Sequence, residues 1–200
     1  LVKFLQAKDP AIKTPADVKA LIDTYLIQLF GWDWVNNRLS GGNQGARERD
    51  AAYIAVCANM GAPSDAWIEK LFTNSYNSGL SKGGFDDEML VNTLTREGIT
   101  LVNGFDYALG YVSAKSGLAE ILSQVQSPKW RARCNLYDVR QYPKLRAEYD
   151  AWTEMLVAGD HRPCYGDDGN AAGAKLPQGA PSIGRVEYAR AYHRWPTDTL

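Results

Sequence analysis

The chain has 200 residues and a nearly balanced charge, with 22 lysines and arginines against 23 aspartates and glutamates. Nucleic-acid-binding proteins usually carry a marked basic excess, so the composition gives no reason to expect a nucleic-acid partner. The apolar fraction of 45% is ordinary for a globular protein, and no apolar run approaches the roughly 20 residues that a membrane-spanning helix needs.

The first half of the chain predicts three helices after an N-terminal extension over residues 1–13. Thr14 begins a strong helix start, because its hydroxyl can cap the helix and a proline and an acid follow in the first turn. Apolar residues then recur at helical spacing, and Gly31 is expected to close this helix. A second helix is predicted over 46–60, and the polar residues at 63–65 are expected to cap a third.

The second half of the chain is also predicted to be helical. Residues 73–84 are rich in Asn, Ser and Gly, which is typical of a joint between two units. A long helical pattern runs from 104 to 126, another helix begins at Pro143, and a last short one is predicted over 185–194. Glycine and proline recur through 159–184, which predicts an irregular segment. No alternating strand pattern is convincing, so the fold class is predicted to be all-α.

Two short motifs occur twice and in the same order, and one cysteine lies between them each time. The motifs are Gly-aromatic-Asp-aromatic, at 31–34 and 104–107, and a longer Asp-Ala-Trp motif, at 65–71 and 150–156. Such self-similarity indicates a tandem duplication. We therefore predict two helical repeats between two irregular extensions, with boundaries at 1–13, 14–84, 85–158 and 159–200. The repeated aromatic residues are most simply explained as core anchors.

The three cysteines carry the sharper chemical hypothesis. Their odd number does not suit a secreted disulfide scaffold, and none lies close enough to another for a typical zinc site, so buried inert thiols are the simplest explanation. Arginines and aspartates nevertheless lie near each cysteine in the sequence. Nearby guanidinium groups favour the reactive thiolate and can also clamp carboxylates. The candidate site residues are Cys57 with Arg49 and Asp50, Cys134 with Arg131, Arg133 and Asp138, and Cys164 with Arg162.

A thiol nucleophile, an arginine for propionates and an aspartate for pyrrole nitrogens together describe a covalent site for a linear tetrapyrrole, or bilin. The chain resembles the γ subunits of red-algal phycoerythrin. The resemblance rests on the duplicated helical pattern, the two Gly-aromatic-Asp-aromatic motifs, the cysteine in each copy and the long irregular tail. Over roughly residues 14–164, the resemblance implies a linker of the phycobilisome that carries phycourobilin or phycoerythrobilin on Cys57, Cys134 and Cys164. The chain is more acidic than such linkers usually are.

The resemblance also implies partners and a location. It implies that the chain threads through the central cavity of a hexamer of phycoerythrin α and β subunits and contacts other phycobilisome linkers, at the stromal face of the thylakoid membrane in the chloroplast. The sequence itself does not fix the compartment. It begins at Leu1 without a signal-peptide pattern, and we expect that it has been processed or trimmed.

Two other function classes stay open at this point. The first is a colourless helical scaffold or assembly protein whose thiols only pack in the interior. The second is a thiol-dependent enzyme that uses Cys164 and His161. The repeated acids Asp33 and Asp106 are better explained as caps or salt-bridge partners than as general acids, and the histidines lie in the predicted tail. We therefore expect a protein without catalytic residues.

Overall fold

The fold is all-α, as the sequence predicts, and in the part of the chain that the structure describes a small hairpin lies between α5 and the 84–92 segment. The computed structural model describes residues 2–36, 38, 45–73, 76–77, 81–82, 84–101, 105–155 and 185–196. The helices are α1 Val2–Gln6, α2 Pro15–Ile22, α3 Leu29–Val35, α4 Ala46–Ala58, α5 Ala62–Thr73, α6 Phe105–Leu122, α7 Pro143–Glu154 and α8 Arg185–Arg194. Asp23–Gln28 and Gly84–Asn92 are π-helical, and β1 Tyr76–Asn77 pairs antiparallel with β2 Ser81–Lys82. The sequence missed this hairpin because two-residue strands are too short to alternate.

A continuous helix runs from Pro15 to Val35, through α2, the π-helical turn and α3. Its start is a capping box, in which the Asp17 backbone N–H donates to Thr14 Oγ1 at 3.2 Å and the Thr14 N–H donates to Asp17 Oδ2 at 2.7 Å. Hydrogen bonds from the Lys13 and Thr14 backbone and the Thr14 hydroxyl lower the pKa of the Asp17 carboxyl. The predicted start is therefore found at Thr14.

Gly31 does not close this helix, so that prediction is wrong. Gly31 is buried inside α3, and a Cβ added there would overlap the indole ring of Trp67 on α5. Glycine is needed for the close approach of the two helices, and the chain continues as a helix to Val35. Nearby, the Trp34 indole N–H donates to the Trp67 carbonyl at 3.1 Å, which fixes the inner face of α3 on α5.

The core lies where α4, α5, α6 and the 84–92 segment meet. Its aromatic centre is Phe72, whose ring meets Phe85 edge-on at 5.7 Å and stacks on Trp130 at 6.0 Å between centroids. The largest fully buried apolar side chains around them are Leu71, Leu94, Leu118, Leu122 and Leu136. Buried Trp34 and Trp67 are core anchors, as expected for the repeated aromatics of the first copy, but Trp32 exposes 48% of its surface, so the prediction is wrong for that residue.

The two Gly-aromatic-Asp-aromatic motifs lie at opposite ends of their helices. Residues 31–34 belong to the end of α3, whereas 105–107 begin α6, whose first side chains lie outside the described part of the structure. Residues 65–71 lie within α5, and 150–156 run past the end of α7. The tandem duplication and its boundaries therefore stay predictions.

A buried ion pair joins α6 to α7. Lys115 Nζ lies 2.6 Å from Glu148 Oε1, and the Thr100 hydroxyl donates to the same oxygen at 2.7 Å. Thr100 is brought there by a turn that bridges to Leu94 and contains Gly98 at φ +85°, a conformation that glycine adopts without strain. The contact ties three separate segments together in the interior.

Candidate functional site

Cys57 lies on an exposed face near the end of α4. Tyr53 precedes it by four residues and Asp50 by seven, a spacing that places all three side chains on one stripe of the helix. All three residues are exposed, and Tyr53 keeps 42% of its surface accessible. We call Asp50, Tyr53 and Cys57 the α4 stripe. It presents a thiol, a phenol and a carboxylate to the solvent in one row.

A surface cavity of about 410 Å³ opens at the N-terminal half of this stripe. Arg49 and Asp50 both line it, and the Arg49 guanidinium donates from Nε and Nη2 to Asp50 Oδ1 at 3.0 Å in each case. The opposite wall comes from α6 and α8, where Arg190 donates to the Ser116 hydroxyl at 3.1 Å. Glu187 of α8 lines the cavity as well, so the structure brings together two guanidinium groups, of Arg49 and Arg190, and two carboxylates, of Asp50 and Glu187.

The other end of the stripe borders a second cavity. This cavity of about 340 Å³ is lined by Val56, the neighbour of Cys57, together with Asn59, Asp65 and the 124–127 segment. Cys57 therefore stands between two surface cavities along one helix. The distance from Cys57 to Asp50 along the helix axis is about 10 Å, because each residue rises 1.5 Å. An elongated ligand attached at Cys57 can reach either cavity.

Cys134 has a different environment, because only 1% of its surface is exposed. The pKa of the Cys134 thiol is raised to about 12, mainly by burial, while the neighbouring Arg133 lowers it by a smaller amount and Asp65 adds a still smaller rise. Arg133 favours the Cys134 thiolate, as expected for a neighbouring guanidinium, but burial outweighs this effect and keeps the thiol neutral. Removal of the thiol from water disfavours the charged form more strongly than one partly exposed guanidinium group favours it.

The arginines that lie near Cys134 in the sequence contact other groups in the structure. Arg133 forms an ion pair with Asp86 of the 84–92 segment, and its guanidinium lies 4.9 Å from the centroid of the Phe72 ring. This contact fastens the 128–134 turns to the core. The role predicted for Arg133, to hold a propionate, would require the Asp86 pair to open.

Arg131 and Asp138 share a separate cavity of about 670 Å³, which Arg194 of α8 also lines. Asp138 accepts hydrogen bonds from Arg140 Nε at 3.2 Å and from the Arg140 backbone N–H at 3.0 Å, and these bonds lower the pKa of its carboxyl. Two of the predicted residues thus meet at one place. Cys134 does not belong to the lining of this cavity.

Cys164 and Arg162 lie outside the described residues, and so does His161. Within the described ranges, no group of three or more His, Cys, Asp or Glu residues is arranged to hold a metal ion. The same part of the chain contains no helix that is long and apolar enough to cross a membrane.

Helix α8 contributes site residues that the sequence reasoning did not assign. Arg190 lines the cavity beside Arg49, and Arg194 lines the cavity beside Arg131. Arg194 also lies within 3.4 Å of the Glu120 carboxylate on α6, and the Trp195 indole N–H donates to the Tyr137 carbonyl at 3.2 Å. The basic and aromatic composition of 185–194 was the available signal, but nothing in the sequence showed where this helix packs.

Comparison with protein-family models, curated proteins and solved structures found no match to this chain. The fold and the site define an all-α protein that presents an exposed thiol between two surface cavities. The resemblance to phycoerythrin γ subunits rests on the sequence features alone.

Proposed function

We propose that the chain is a light-harvesting linker that holds a linear tetrapyrrole covalently through Cys57. The observation that supports this best is the contrast between the two cysteines that the structure describes. Cys57 is exposed on the α4 stripe with Asp50 and Tyr53, whereas Cys134 is enclosed in the core. A thiol must meet its electrophile in order to react, and Cys57 meets this condition in the folded chain.

The attachment is an addition of the thiol to an exocyclic double bond of the pigment. A sulfur–carbon bond forms, the thiol proton ends on the neighbouring carbon, and nothing is released or oxidised. Arg49 and Arg190 would pair with propionates and Asp50 would accept from pyrrole N–H groups, which requires the present bonds of Arg49 to Asp50 and of Arg190 to Ser116 to be exchanged for bonds to the pigment. Tyr53 stands between Cys57 and this cavity and supplies an aromatic wall. A pigment held at several points loses less excitation energy by twisting.

The particular pigment and partners follow from the resemblance and belong to the same proposal. The pigment is phycourobilin or phycoerythrobilin, and the partners are the α and β subunits of phycoerythrin and other phycobilisome linkers. The location is the stromal face of the thylakoid membrane in the chloroplast. Attachment at Cys134 remains part of the proposal only if the 128–134 turns open, because the thiol is otherwise closed to a ligand of this size.

A colourless helical scaffold is the second candidate, and the burial of Cys134 favours it. A thiol that is enclosed among core residues, with a raised pKa, behaves as a small apolar side chain. If Cys57 were unmodified in the natural protein, both described cysteines would be explained by packing and surface exposure alone. The two candidates differ in one property, visible absorbance.

Denaturing electrophoresis of the natural protein, followed by zinc-enhanced fluorescence, separates these candidates. A covalent bilin predicts a fluorescent band, and a colourless, non-fluorescent band would exclude the antenna function. In chains produced together with a bilin and an attaching enzyme, Cys57→Ala should remove one pigment's absorbance. Cys134→Ala is the matched control, because it removes a thiol of the other class and should leave the absorbance per chain unchanged.

A further inference from the structure

The outer face of the helix Pro15–Val35 is apolar, although it faces solvent. Its large apolar residues expose between 38% and 64% of their surface. They are Ile22, Tyr25, Leu26, Leu29, Trp32 and Val35, which we call the 22–35 stripe. A surface helix normally turns charged and polar residues outward. The inner face of this helix is already occupied, because Gly31 and Trp34 pack on Trp67.

The residues of the stripe recur along the whole exposed side of the helix. Ile22, Tyr25, Leu29 and Trp32 follow one another at intervals of three, four and three residues. Because Asp23–Gln28 is π-helical, with more residues per turn than an α-helix, they form a broad exposed face and not the strict a and d seam of a coiled coil. Ionic groups lie at the edges of this face: Lys19 pairs with Asp23 one turn apart, and the Arg38 guanidinium lies 4.1 Å from the Trp32 ring centroid. An apolar face with charged groups at its edges is more favourable when it packs against another helix than when it is exposed to water.

The area of the stripe matches what a pair of chains needs. With about 200 Å² for a large apolar side chain and about half of each exposed, the six residues present roughly 600 Å². A patch of this size exceeds what scattered surface residues give and marks an interaction site. Two copies face to face would bury about 1,200 Å² in total, which is the lower end of the range for specific interfaces.

We propose that two copies of this chain pair through the 22–35 stripe as antiparallel helices. In the two-fold arrangement centred on residue 27, Ile22 faces Trp32 of the other copy and Tyr25 faces Leu29. A larger side chain then faces a smaller one in both of these pairs, whereas Leu26 faces Gln28 and Val35 faces Lys19, whose charged end can stay in water at the margin. A parallel pairing would instead oppose Trp32 to itself and align the two helix dipoles, which is less favourable. This inference rests on the helix alone and does not depend on the proposed pigment.

Sedimentation equilibrium tests the pairing at concentrations up to about 100 μM. The wild-type chain should have twice the mass of one chain, and Leu29→Glu should return it to a single-chain mass, with a weakening of at least tenfold. Val91→Glu is the matched control, because Val91 is an exposed apolar residue outside the stripe and its replacement should leave the dimer intact. Far-ultraviolet circular dichroism should show both variants folded. A wild-type chain that stays monomeric, or that pairs only with a different protein, overturns the proposal.

Cysteine cross-linking tests the direction of the pair. With Cys57 and Cys164 replaced by serine, the double variant Tyr25→Cys, Leu29→Cys should oxidise to a linked dimer in high yield. Leu29→Cys alone should give several-fold less, because Leu29 faces Tyr25 and not its own copy. Equal yields from the single and the double variant would contradict the antiparallel arrangement.

Discussion

Replacement of Glu148 by glutamine should destabilise the chain strongly. Glu148 and Lys115 are 1% and 2% exposed, and their charged atoms lie 2.6 Å apart. In Glu148→Gln the buried lysine loses the opposite charge that compensates it. Removal of one member of a buried pair typically costs about 3–5 kcal/mol, and we expect a loss of this size in the free energy of unfolding.

The assay is urea unfolding at neutral pH, with Glu69→Gln as the matched control. Glu69 also forms an ion pair, with Lys129 at 3.0 Å, but both side chains are more than half exposed. Exposed pairs contribute about 1 kcal/mol or less, so the control should change the free energy of unfolding little. If Glu148→Gln cost no more than Glu69→Gln, the buried pair would not have the energetic role argued from its burial.

A second variant separates two quantities: the net contribution of the ion pair to the free energy of unfolding, and the cost of leaving one of its charges without a partner. Replacement of both charges, in Lys115→Met with Glu148→Leu, removes the buried lysine charge together with its partner and should recover most of the loss. It leaves the Thr100 hydroxyl without its acceptor, which costs about 1–3 kcal/mol when the group stays buried. Addition of Thr100→Val should therefore bring stability back to within about 1–2 kcal/mol of the wild type.

Three other predictions follow from the cysteines and from Gly31. In the folded chain a maleimide should label Cys57 within minutes near neutral pH, whereas Cys134 should react only after unfolding. Mass spectrometry of the peptides measures the labelling of each cysteine, and equal rates would contradict the burial of Cys134. Because the folded pKa of Cys134 is about 12 and an exposed thiol titrates near about 8.5, the unfolded chain loses this proton first. Stability should thus fall by up to about 1.4 kcal/mol per pH unit between those values, and Cys134→Ala should remove this part of the decline. Gly31→Ala should cost about 1–3 kcal/mol, because its methyl group would overlap the buried Trp67 ring, whereas exposed Gln28→Ala on the same helix should be nearly neutral.

The parts of the fold that sequence predicted well are local ones. Thr14 and Asp17 exchange side-chain-to-backbone hydrogen bonds across three positions. The capping role of Thr14 can therefore be predicted from a segment of four residues. Helix α4 and helix α8 were likewise found close to their predicted bounds. Gly31 shows the limit, because its neighbour Trp67 lies 36 residues on and decides whether glycine ends a helix or permits contact.

The candidate site divides along the same line. Asp50 lies seven residues before Cys57 on a helix, where a fixed geometry places it on the same side. Arg131, Arg133 and Cys134 lie in consecutive turns, where adjacent residues point in different directions.

The side chains of residues 131–134 are therefore adjacent in sequence but lie in different surroundings. Arg131 faces a cavity, Arg133 reaches Asp86, and Cys134 enters the core. Arg190 and Lys115 could not be assigned from sequence, because their partners Ser116 and Glu148 are brought to them by the packing of whole helices.

The mass of the natural protein tests the central claim most directly, when it is combined with identification of the modified peptide. The account predicts an intact mass above that of the bare polypeptide by at least one bilin, and a coloured peptide that contains Cys57. It also predicts that the peptide with Cys134 is unmodified. A natural chain with the mass of the polypeptide alone, or a pigment found on Cys134 with Cys57 free, would contradict it.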